Sequence, residues 1–120
     1  RRERTNTPLQ ALVTLNDPQF VEAARVLAER CLAQSVDQKS KVLSRMFEQI
    51  LARRASSSET TILLADYQYY SEHYRAHPAD AQALLQIGET KANPELPPAQ
   101  VAAWTIIANQ IFNLDEALNK

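Results

Sequence analysis

The chain has 120 residues, 45% of them hydrophobic, and carries a formal net charge of −1 with both signs interspersed. That length buries one core but not two; the apolar share excludes disorder as the default, and the balanced charge argues against a dedicated nucleic-acid or anionic-membrane surface. A single glycine sets the chain against turn-rich sheet classes, the abundance of Ala, Leu, Gln, Glu and Arg favours helix, and no apolar run approaches the roughly 18 residues of a membrane span.

Residues 1–6 read as a polar, frayed lead-in. The chain begins at Arg1 rather than Met and shows no signal peptide, so it is expected to be a fragment of something longer. Thr7 then has the character of an N-cap, with Pro8 at the first helical position, where a missing N–H costs nothing. Leu9, Leu12 and Val13 form a short apolar face that ends at Asn16. Asp17 and Pro18 repeat the same start signal, with the carboxylate suited to the positive end of the helix dipole. From there Phe20, Val21, Ala24, Leu27, Ala28, Cys31 and Leu32 recur at spacings of three and four. Glu22, Arg25 and Glu29 line the other side, close enough to pair along the helix.

Ser35 and Gln38 fit a capping box, in which a cap hydroxyl and a glutamine three residues on satisfy two orphan amides. The helix expected to follow carries Leu43, Met46, Phe47, Ile50 and Leu51 inward. Lys41, Arg45 and Glu48 face out, and Arg53 and Arg54 sit in its last turn. Ser56 and Glu59 make a second box and open a helix with Leu63, Tyr67, Tyr70 and Tyr74 aligned; this outweighs the strand preference of Thr60, Thr61 and Ile62. Pro78 stops that helix at about His77 and opens a short one with Ala81, Leu84 and Leu85 inward and Gly88 as its left-handed C′ residue. Residues 89–97 form the longest loop. The last helix starts near Pro98 with Val101, Trp104, Thr105, Ala108, Ile111 and Phe112 inward, and residues 113–116 break or recap it. The sum is an all-α, single-domain bundle of about five to six helices spanning residues 1–120.

Candidate chemistry is sparse. His73 and His77 are four apart, the spacing that turns two imidazoles to one helix face. A metal site would need a third ligand, such as Glu72 or a distant Asp. The zinc-peptidase pattern is absent, because Tyr74 stands where its glutamate belongs. Two exposed histidines in a last helical turn, where positive charge is welcome, explain the pair without a metal, so no metal ligand is assigned. Cys31 lies on an apolar stripe and reads as a small buried hydrophobe rather than a nucleophile. One cysteine makes neither an internal disulfide nor a haem-attachment motif. Tyr67, Tyr69, Tyr70 and Tyr74 with Trp104 could stack against sugar rings or bases, but three of the tyrosines share one stripe and read as core; Tyr69 falls off it. A DNA-binding helix-turn-helix around Asn16 would present Glu22 and Glu29 to phosphates and is rejected. No phosphate loop, nucleophile elbow or Ser/His/Asp set can be assembled, so no catalytic residue is expected. The remaining candidates for binding or interaction are Arg4, Thr5, Asn6, Asn16 and Asp17, dense polar residues of which Arg4, Thr5 and Asn6 have no capping task.

Arg4-Thr5-Asn6-Thr7-Pro8-Leu9-Gln10-Ala11-Leu12, then Leu15-Asn16-Asp17-Pro18-Gln19-Phe20 and Glu22-Ala23-Ala24, resemble the start of the C-terminal segment of a planctomycete domain family of unknown function. That family occurs in large proteins that often also carry cytochrome c-like domains. Ala103-Trp104-Thr105, Ala108-Asn109 and Asn113-Leu114-Asp115-Glu116 resemble the way those proteins finish, while residues 34–98 agree only in pattern. The resemblance implies an exported or envelope-associated parent protein, with haem c attached elsewhere in it and no cofactor in this domain. It implies the upstream domains of the same parent, or another protein, as partners, and brings no established reaction. Two roles are therefore set against each other. One is a non-catalytic structural or interaction module. The other is a contribution to carbohydrate or metal binding from the Arg4-Asn6 and Asn16-Asp17 motif or from His73 and His77.

Overall fold

The computed structural model describes residues 18–35 and 38–118, with side chains described within 21–114. The described residues form five helices and no strand: α1 (Pro18–Gln34), α2 (Lys39–Leu51), α3 (Ser57–Ala76), α4 (Pro78–Leu85) and α5 (Pro98–Leu118). The expected all-α bundle is therefore what the chain forms.

The bundle is built around α5, which packs against each of the other four helices. Every residue from Val101 to Asn109 is buried, so this helix shows the core no single face; the run is apolar apart from Thr105 and Asn109, as befits a central helix. The six inward positions expected for it are joined by Ala102, Ala103, Ile106 and Ile107. Its one buried hydroxyl, on Thr105, donates back to the Val101 carbonyl at 2.7 Å, which removes the cost of burying it. The helix runs unbroken through residues 113–116 to Leu118, so the expected break there does not occur. Around it lie Val21, Ala24, Ala28, Cys31 and Leu32 of α1, Val42, Leu43, Met46 and Phe47 of α2, Leu63, Tyr67, Tyr70 and Tyr74 of α3, and Ala81, Leu84 and Leu85 of α4. All belong to one continuous cluster, as one core in a chain of this length requires.

Local signals fix most of the boundaries. α1 is described from Pro18 onward, and the caps expected at Thr7 and Asp17 lie outside the described residues. α3 opens on a complete capping box: Glu59 N–H donates to Ser56 Oγ at 3.1 Å, and Ser56 N–H donates to Glu59 Oε1 at 2.9 Å. His77 closes α3 and caps α4, with Pro78 at the first position.

Three further expectations fail. Ser35 does not cap α2, because its own N–H still bonds the Leu32 carbonyl in the closing turn of α1. Its hydroxyl accepts from Arg45 Nε at 3.0 Å, and α2 starts at Lys39 behind an uncapped Gln38. Arg53 and Arg54 lie beyond α2, since Ala52 turns left-handed at φ 58° and ends it; Arg53 instead forks onto Glu59, with both bonds at 2.9 Å. Gly88 does adopt a positive φ of 96°, but α4 has already stopped at Leu85, so this glycine serves the loop over residues 86–97 rather than the helix end.

Candidate functional site

The sequence places Glu22, Arg25 and Glu29 on an outward, solvated face of α1. The structure covers that face with the 86–97 loop. Arg25 is only 1% exposed. Its guanidinium bonds Glu29 Oε2 at 3.0 Å, one helical turn on, and also donates to the Thr90 carbonyl. Glu22 accepts the Thr90 amide at 2.6 Å and the Glu89 amide at 3.2 Å, and Glu29 accepts the Asn93 amide at 2.8 Å. Three side chains at spacings of three and four thus hold the loop by its backbone. A loop with no internal ladder leaves amides to satisfy, and carboxylates are strong acceptors for them. The Thr90 side chain first, then the Thr90 and Glu89 amides, hold the Glu22 carboxyl below its ordinary range. Gly88 is required here: a Cβ on it would sit 2.5 Å from Glu22 Oε1 and 2.7 Å from Glu22 Cβ.

Beside this latch, α1 presents an open groove of about 400 Å³ lined by Glu22, Ala23, Val26, Leu27, Arg30 and Thr90. Ala23, Val26, Leu27 and Arg30 follow the i, i+3, i+4, i+7 rule, so they form one stripe separate from the core stripe. Leu27, expected inward, is only partly buried between the two. The motif candidates Arg4, Thr5, Asn6, Asn16 and Asp17 lie outside the described residues.

The tyrosine-tryptophan platform does not form. Trp104 is 1% exposed and stacks on Tyr67 inside the core, with centroids 4.1 Å apart and an interplanar angle of 21°. Tyr70 and Tyr74 are also buried, and burial pushes the Tyr67 and Tyr74 phenols up. Tyr69 alone of the four is open to solvent, at 51%, as its position off the stripe predicts. With Ile62 it supplies the large exposed hydrophobic side chains of the described residues. Cys31 is a buried free thiol, and desolvation raises its pKa. That is the opposite of what a nucleophile needs.

His73 and His77 stack with ring centroids 4.5 Å apart at 24°. The sequence pairs them by spacing, and the structure adds Asp80, whose Oδ2 stands 3.3 Å from His73 Nε2. One donor atom from each of the three lies within 4.8 Å of those of the other two. Asp80 is two helical turns after His73 but across Pro78, so helical spacing alone does not predict its place. Among the described residues no helix is long and apolar enough to cross a membrane.

A family model described as "PSD1: Protein of unknown function (DUF1553)" matches residues 1–67. The match takes in the opening motif, α1, α2 and the first half of α3; the resemblance at the C-terminal end lies outside it. No curated protein and no solved structure matches the chain.

Proposed function

The chain belongs to the PSD1 family (DUF1553), whose function is unknown, and from that premise we propose that it is a non-catalytic helical module which completes a larger protein by packing against it. The observation that carries this is the groove on α1. Its apolar floor of Ala23, Val26 and Leu27, bracketed by Glu22 and Arg30, lies on the helix that continues the family motif. The latch immobilises the neighbouring loop against the same helix, so the groove has one rigid wall, and a preformed surface binds with less ordering cost. The finer proposal follows the resemblance. It is a planctomycete protein, exported or envelope-associated; haem c is attached elsewhere in the parent, and upstream domains of that parent fill the groove.

Ala23 is exposed, which gives a clean test. Ala23→Arg is expected to lower the melting temperature of the full parent protein while leaving that of the 120-residue chain unchanged. Equal melting shifts in both, or none in the parent, would overturn the proposal.

A further inference from the structure

The sequence explains His73 and His77 as two solvated histidines at a helix end. The structure weakens that explanation in three ways. Both histidines of the chain are drawn into one stack at the α3–α4 junction. A carboxylate from the next helix, Asp80, meets them there. The rings are also held: His77 Nδ1 lies 3.0 Å from the His73 carbonyl oxygen, and the edge of Tyr74, itself buried, rests on the His73 ring at 5.2 Å and 76°. A backbone carbonyl can only accept, so the bond places a proton on His77 Nδ1 and leaves Nε2 as the ring nitrogen open to a ligand. A carbonyl on the far nitrogen is the usual outer partner of a metal-bound imidazole, because it fixes both tautomer and ring direction.

We propose that His73, His77 and Asp80 bind a divalent first-row transition ion at the junction of α3 and α4. Two imidazoles and one carboxylate are a donor set for zinc or iron rather than for calcium or magnesium, which prefer all-oxygen shells. Metal–nitrogen distances are about 2.0–2.1 Å, so the donor atoms must draw together from their present spacing. The His73 and Asp80 side chains, 32% and 44% exposed, have room to rotate toward a His77 ring that the His73 carbonyl keeps in place. Three protein ligands on an open surface leave at least one position for water or another ligand. The ion would tie the last turn of α3 to the first turn of α4 across Pro78.

The test is calorimetric titration of ZnCl2 into the full 120-residue chain. One site is expected, with micromolar affinity and a raised melting temperature, because the ion binds the folded state. His73→Gln, His77→Gln and Asp80→Asn should each weaken binding at least tenfold while far-ultraviolet circular dichroism stays unchanged. Cobalt(II) should give a visible absorption band that the same substitutions abolish. Absence of heat, heat that survives the triple substitution, or heat lost in Cys31→Ser instead would each overturn the assignment. Nothing in it depends on the groove of α1, so the two proposals stand or fall separately.

Discussion

The surroundings of α5 and the latch on α1 each take side chains out of water, by opposite means: α5 loses a whole stretch of residues to the core, whereas in the latch Arg25 is buried and Glu22 and Glu29 are half-buried. Around α5 the contacts are apolar and non-directional, and a helix with Val, Ile, Ala and Trp on every side only needs to be surrounded. On α1 a guanidinium is taken to 1% exposure and made tolerable by directed bonds to a carboxylate and a loop carbonyl. The first arrangement depends on volume and the second on side-chain length and angle. The contrast shows which part of the molecule can be specialised. A core of this kind tolerates exchange of similar shapes, whereas the latch fixes the backbone of a loop that has no secondary structure and thereby shapes the groove beside it.

Breaking the two regions separately should expose the difference. Trp104→Ala removes the largest buried side chain and its stack on Tyr67. The expected cost is about 3–5 kcal/mol, a large part of the stability of a domain this size. Chemical denaturation should show one cooperative transition moved to much lower denaturant, because each of the other four described helices packs on α5. Arg25→Met keeps most of the volume but loses the bonds to Glu29 and Thr90. Bonds to charged groups of this kind contribute about 2 kcal/mol. The distinguishing readout is local: amide hydrogen exchange at Glu89, Thr90 and Asn93 should accelerate more than exchange in α5. A uniform acceleration over the whole chain would mean that the latch is merely another part of the core.

The same comparison explains what could be read in advance. The bundle was legible because several helix starts carry their own chemistry: the Ser56–Glu59 box and Pro78 act through neighbours within four residues, although the start of α2 does not. The core stripes of α2, α3 and α4 followed from periodicity. The centrality of α5 did not, because periodicity assumes a polar side and this helix has none; its Ala102, Ala103, Ile106 and Ile107 look like background until four neighbours surround them. The latch was illegible for a different reason. Glu22 and Glu29 bond backbone amides more than sixty positions away, and a backbone amide leaves no trace in sequence. Charged residues at helical spacing therefore pointed to solvent, and Arg25 was expected to be exposed on a face that the loop in fact covers. The cluster of His73, His77 and Asp80 was half legible: spacing paired the histidines, while Asp80 came into reach only through the turn at Pro78.

The smallest expected effect tests the latch by its charge. Glu22 has a folded pKa below its ordinary value of 4.5, held there by bonds from Thr90 and Glu89. A depressed carboxylate stabilises the fold fully above its unfolded pKa and loses that contribution as pH falls through the folded value. The loop should therefore loosen on acidification below about pH 4.5, ahead of the α3 cap, where Arg53, then Ser56, hold Glu59 down to about 2. The Thr90 amide proton, which bonds Glu22 directly, should report this in an NMR titration as a shift with its midpoint below 4.5. Glu22→Gln should flatten that titration without moving the one seen at Ser56. A Thr90 midpoint at or above the ordinary glutamate value would show that the loop amides do not hold the carboxylate. The loop would then rest on Arg25 and Glu29, and Thr90, the wall of the groove, would be held by its carbonyl alone.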